Sequence, residues 1–253
     1  MIRFAPSSAE EDAGDHFPDS LHARIPSIGS SFNARADAMN LATLSRSGHF
    51  AKAFQADRAI PEDQLATLLD FLHSIPSSIN AQPTRYVIAT SAQARSRIAG
   101  TLVEFNRPKV QDASVCIVLA TKTSLDEPYL DTVLAKEAQD GRFPGPEHQQ
   151  RWKQMTREFI AMHRNDVKDL NHWMEKQTYL ALGMMTVAAA SMGIDCAALE
   201  GFDARLVDPL FGFREKGLTT TLLLSLGYRD EARDHAAKLP KSRLPRHEVM
   251  TVV

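Results

Sequence analysis

The side chains best suited to hold a ligand fall in three short stretches. Between Pro76 and Pro83, the run Ser77-Ser-Ile-Asn-Ala-Gln82 gathers two hydroxyls and two amides. These groups offer many hydrogen bonds to a flat polar ligand while the prolines fix the backbone; taken alone, the run is equally a capped loop. Glu200-Gly-Phe-Asp203 places a glycine where backbone can approach a ligand closely, with Asp203 able to cap the next helix; taken alone it is a turn. Lys238 to Arg246 carries four cations in nine residues. The spacing Lys241-x-Arg243 sets two of them on one side of an extended chain, which suits a phosphate. The plain alternative is a solvated basic tail.

Other chemistries lack their residues. There is no His-Glu-x-x-His, no Gly-x-Gly-x-x-Gly, no Gly-Lys-Ser/Thr loop, no Cys-x-x-Cys and no Gly-x-Ser-x-Gly elbow, so metal, mononucleotide and serine-hydrolase motifs are absent in standard form. The nine histidines are dispersed, and His148, His163 and His172 read as surface side chains. Cys116 and Cys196 each lie in an apolar run and read as small core hydrophobes in a reducing compartment. Lys plus Arg 29 against Asp plus Glu 31, a net charge of −2, gives no global field toward nucleic acid or an anionic membrane, so any anion site is local.

The elements that must position these stretches are legible in the apolar pattern. Residues 1–38, rich in Ser, Pro and Ala with an acidic cluster at Glu10-Glu-Asp12, show no periodicity and are expected to be a disordered extension of a domain over 39–253, or to precede a start at Met39. They lack a basic start followed by an apolar block, which predicts a cytoplasmic protein. Pro61-Glu-Asp-Gln with Leu65, Leu68, Leu69 and Leu72 predicts a helix over 61–73. Strands are expected at 85–90, 113–121, 218–226 and 248–253, and helices at 91–104, 127–139, 147–163 and 167–192. The pattern is α+β: a mixed sheet wrapped by helices. Leu180 to Ile194, at 15 residues, is short of the roughly 20 that span a bilayer. Being apolar or small all round, it must be covered on every side, either across a dimer interface or at the centre of a monomer core.

In order, Lys52-Ala-Phe54, Pro76 to Pro83, Phe105-Asn106 with Lys109, Asp140-Gly-Arg-Phe143, Met162-His-Arg164, Glu200 to Asp203, Phe211-Gly212 with Glu215-Lys-Gly217, and Leu239 to Pro245 resemble the FMN-dependent nitroreductase family, in its oxygen-insensitive NAD(P)H nitroreductase and flavin reductase branch. The resemblance covers nearly all of residues 40–253. It implies an intertwined homodimer with FMN at the subunit interface and NADH or NADPH as hydride donor. By position it implies that Lys241 and Arg243 hold the FMN phosphate, that Ser77, Ser78 and Asn80 line the flavin, and that Asn106 meets the pyrimidine edge. Lys52 and Lys109 fall near the flavin carbonyl and N1, where a cation favours hydride acceptance. Glu200 and Gly201 approach N5 through the backbone, Ile79, Phe105 and Phe159 shape the substrate pocket, and Arg142 helps to hold the nicotinamide cofactor.

The implied reaction is ping-pong: NAD(P)H reduces the flavin, which then passes two electrons to a small electron-poor acceptor such as a nitroaromatic or a quinone. A flavin or dihydropteridine reductase, or a flavin-binding protein that has lost turnover, are the alternatives. One departure bears on FMN affinity. The family's Arg-x-Ser-x-Lys before Ala-Phe is replaced, so that Gly48 and Phe50 stand at the Arg and Ser positions when aligned on Lys52. Either Arg46 and Ser47 serve after a local shift, or the phosphate relies on Lys241, Arg243 and His49.

Overall fold

The computed structural model describes residues 49–253. The expectations for residues 1–38, Met39 and Arg46 lie outside the described residues. Four strands, β1 (Thr84–Ala89), β2 (Val115–Lys122), β3 (Asp195–Leu199) and β4 (Leu218–Gly227), form one sheet in the order β1-β2-β4-β3. The α+β expectation holds with one correction. Every described strand pair is antiparallel, not mixed: Thr84 faces Thr121, Val115 faces Leu226 and Asp195 faces Gly227. A continuous apolar run such as β2 marks a strand covered on both faces, as parallel sheets usually are; here an antiparallel sheet is covered on both.

The covering helices are α1 (Glu62–Ser74), α2 (Ala92–Ala99), α3 (Arg107–Gln111), α4 (Glu127–Gln139), α5 (Pro146–Ala161) and α6 (Leu170–Ser191), with short turns α7 (Ala204–Val207) and α8 (Arg246–Val249). Alternation along β2 divides the core. Val115, Ile117 and Leu119 pack with Leu68 and Leu72 of α1 and with Met185 and Ala189 of α6. Cys116, Val118 and Ala120 pack with Ile98 of α2, Val110 of α3 and Val207 of α7. Both cysteines are buried free thiols, and burial pushes each up to about 12.

Two sequence expectations need correcting, and the choice left open for the helix through 180–194 is narrowed. The helix expected over 91–104 stops at Ala99, because Gly100 closes it and a separate turn, Glu104–Asn106, leads into α3. The helix through 180–194 is not enclosed by the described residues, which leaves its outer face open to cover from a second copy. Met174, Ala181, Met185 and Ala189 are buried, whereas Tyr179, Leu180 and Val187 are 41%, 43% and 53% exposed. The strand expected over 248–253 is absent: Pro245 leads into one helical turn, Arg246–Val249, closed by the Met250 N–H on the Arg246 carbonyl, and the last residues are exposed. No helix among the described residues is long and apolar enough to cross a membrane.

Candidate functional site

Asn106 ends the turn before α3, and Lys109 lies three residues on, so both side chains share one face. Lys109 Nζ donates to Asn106 Oδ1 at 2.7 Å, and the buried Asn106 donates through Nδ2 to the Gly201 carbonyl at 3.4 Å. A Cβ at position 201 would stand 2.7 Å from Asn106 Nδ2, so only glycine permits this approach. Burial and then the nearby Lys52 charge hold the Lys109 ammonium below its ordinary pKa. Sequence thus brings Lys52, Asn106, Lys109 and Gly201 together from three distant segments. Among the described residues no carboxylate forms an ion pair with either lysine. Phe105, 72% exposed, lies under Lys109, with 5.1 Å from Nζ to the ring centre. Glu200 accepts from Tyr179 Oη at 2.8 Å; burial and this carboxylate push Tyr179 up to about 12.

Lys52 is placed by its backbone. Its N–H donates to Asp234 Oδ2 at 3.0 Å, and the same carboxylate accepts from the Ala236 N–H and lies 3.2 Å from His49 Nε2. Burial would raise the Asp234 pKa, but the donors from Lys52, His49 and Ala236 outweigh it and hold the carboxyl below the usual range. His49 is also 3.0 Å from Arg229 Nη1. This histidine is therefore built into a network that anchors residues 49–52.

The loop after α1 is a second, separate feature. Ile79, Asn80 and Gln82 adopt φ of 48°, 53° and 47°, a region costing non-glycine residues about 1 kcal/mol or more each. Side chains hold it there. The Ser78 N–H donates to Gln177 Oε1 at 2.9 Å, the Gln82 N–H donates to Ser77 Oγ at 2.9 Å, and Asn80 Nδ2 donates to Glu137 Oε1 at 2.9 Å. Glu137, 3% exposed, also accepts from Trp152 Nε1 at 3.0 Å and meets Arg142 Nε at 3.3 Å. Ile79 and Phe159 each pack against one apolar cluster, while Phe105 stands with Lys109.

His163 departs from the surface reading. It is stacked on Trp173 with ring centres 5.2 Å apart, edges against Phe159 at 4.8 Å, and lies 2.5 Å from Asp169 through Nδ1. Lys241 and Arg243 lie in the exposed run 239–253, and Arg243 turns back to donate to the Ser242 carbonyl at 2.6 Å. Sequence reasoning missed Glu137, Gln177, Tyr179, Arg229 and Asp234. Only Glu137 left a signal: it shares the inward stripe of α4 with Leu130 and Leu134, where a carboxylate needs donors. Among the described residues no group of His, Cys, Asp and Glu could hold a metal ion.

Residues 31–228 match the model of the Nitroreductase family. The chain belongs to the nitroreductase family. It is an enzyme. Among relatives of this nitroreductase-family chain, the oxygen-insensitive NAD(P)H nitroreductase of Enterobacter cloacae is 36% identical over 217 residues, 84% of this chain and 99% of that protein. The major NAD(P)H-flavin oxidoreductase of Aliivibrio fischeri is 30% identical over 206 residues, covering 80% and 94%. The nitroreductase fold is matched by a structure from Exiguobacterium sibiricum, described as a nitroreductase in complex with FMN, with a TM-score of 0.68, 18% identity, and coverage of 85% and 97%.

Proposed function

We propose that this chain is an FMN-dependent NAD(P)H oxidoreductase that reduces nitroaromatics, quinones or related electron-poor acceptors by ping-pong, two-electron hydride transfer. The observation that carries this reading is the pair Lys52 and Lys109 beside Asn106 and Gly201. Two ammonium groups near each other, with no ion-paired carboxylate among the described residues, call for an anionic ligand, and an amide next to a side-chain-free backbone suits the edge of a flat heterocycle. That donor set fits FMN. When bound, FMN supplies a ring that takes up hydride from NADH or NADPH and passes two electrons to the acceptor.

The chain's own residues supply position and charge. Lys52 and Lys109 stabilise negative charge at the N1 and carbonyl edge. Asn106 donates to or accepts from the pyrimidine edge, and Glu200 and Gly201 present backbone near N5. Ser77, Ser78 and Asn80 form the loop along the ring, with Lys241 and Arg243 at the phosphate. His49, tied to Asp234 and Arg229, acts by holding the Lys52 segment. Ile79, Phe105 and Phe159 border the acceptor. The similarity to the Aliivibrio fischeri flavin oxidoreductase favours a second reading, a flavin or dihydropteridine reductase using the same site.

The working form is a cytoplasmic homodimer, built on residues 39–253 and covering the outward face of α6. The test is the visible spectrum of the purified protein before and after anaerobic NADPH or NADH. Flavin bands that bleach on addition are expected. A colourless protein that takes up no added FMN, or bound flavin that neither nucleotide bleaches, overturns the reading.

A further inference from the structure

A cleft of about 300 Å³ lies between the segment ahead of α5 and the first three turns of that helix. Arg142, Phe143, His148, Arg151, Trp152 and Met155 line it. His148, Arg151, Trp152 and Met155 are spaced at i, i+3, i+4 and i+7, one face of α5, and they look across at Arg142 and Phe143. Glu147 does not line the cleft.

Trp152 is fixed by its bond to Glu137, and Glu137 already accepts from Asn80 as well. Arg142 touches that carboxylate through Nε at 3.3 Å, which leaves its terminal nitrogens without a hydrogen bond among the described residues. Arg151 has no carboxylate partner among them either. Two guanidinium groups, an imidazole and two aromatic rings around one cleft match a phosphate carried beside a flat base. The α5 N-terminus, with no side chain capping it at Gly145, adds partial positive charge at the same end.

We infer that this cleft binds the 2′-phosphoadenosine end of NADPH and so makes NADPH the preferred donor. This rests on the oxidoreductase reading for its role in turnover, and the position supports it. The Asn80–Glu137–Trp152 chain ties the cleft to the loop proposed to line the flavin, and Trp152 also borders the space next to Ile79 and Asn80.

The experiment is calorimetric titration of the full chain with 2′,5′-ADP and, in parallel, with 5′-AMP, followed by steady-state kinetics with NADPH and NADH. The wild type is expected to bind 2′,5′-ADP about tenfold or more tighter than 5′-AMP, since a charge-assisted pair is lost with the 2′-phosphate. Arg151→Ala, an exposed helix position, is expected to erase that preference and to raise KM for NADPH about tenfold, with KM for NADH moving less than twofold. Equal binding of the two nucleotides, or an equal effect of Arg151→Ala on both donors, overturns the inference. So does a rise in KM confined to a carboxylated acceptor such as 4-nitrobenzoate, which would give the cleft to the acceptor. The titration needs no turnover: Arg151-dependent binding of 2′,5′-ADP by a protein that fails the flavin test would sink the oxidoreductase reading and leave the nucleotide cleft standing.

Discussion

At the scale of single residues, the proposed chemistry depends on two positive charges being kept near each other against their own repulsion. Lys109 tolerates this because its Nζ donates a hydrogen bond to Asn106 Oδ1 at 2.7 Å, while burial and the Lys52 charge hold its pKa below the ordinary value. Negative charge arriving beside them relieves the repulsion. Lys109→Ala is therefore expected to slow anaerobic bleaching of bound flavin by NADPH by roughly tenfold to hundredfold, below the largest effects of oxyanion donors because the site is partly open. Stopped-flow absorbance measures this, and an unchanged rate would remove charge stabilisation from the account. These residues were legible in the sequence, as Phe105-Asn106 with Lys109 and as Glu200-Gly201. Asp234 and Arg229 were not. Their partners His49 and Lys52 lie about 180 positions away in the chain, and no local pattern marks an acid that becomes buried only when the ends of the domain meet.

Elements explain how the loop at 77–80 keeps a conformation that its residues disfavour. Three non-glycine residues at positive φ must be held by contacts made elsewhere, and the holders are Glu137 of α4 and Gln177 of α6. Helix α4 was expected over 127–139 and is found there, capped by Asp126 on the Tyr129 N–H. The strands at 84–89 and 218–227 also fell close to their expected places because alternation and apolar runs are local signals. Antiparallel pairing was not local, and neither was the break at Gly100. The use of Glu137 depends on three elements at once, since it accepts from Asn80 and Trp152 and pairs with Arg142. Glu137→Ala takes the acceptor from the half-buried Asn80 and Trp152 and is expected to cost about 1–3 kcal/mol in urea unfolding. Glu137→Gln keeps one acceptor oxygen and should lose less than half as much. Equal losses from both variants would mean that packing, not hydrogen bonding, makes Glu137 necessary.

For the molecule as a whole, the decisive surface is the outer face of α6. Tyr179, Leu180 and Val187 join Thr67 and Phe71 of α1 around an apolar groove, and the helix that carries them already gives its other face to the sheet. The sequence pattern requires cover on every side of this helix and leaves a dimer interface and a monomer core as its two sources, because periodicity reports burial and not its source; the described residues cover only one face. A second copy presenting the same face would supply it, with the self-complementarity that a two-fold axis requires. Burying side chains of this size is worth about 1.5–3 kcal/mol each, so a few of them across two copies suffice to hold a dimer once association costs are met. The wild type is expected to sediment at twice the chain mass. Leu180→Glu combined with Val187→Glu places like charges against their symmetry mates and should sediment at the chain mass with an unchanged far-ultraviolet circular dichroism spectrum. It should also lose bound FMN, because the proposed cofactor lies at the interface. A wild type that sediments as a monomer, or a monomeric variant that keeps its flavin and its turnover, would show that one chain completes the site alone.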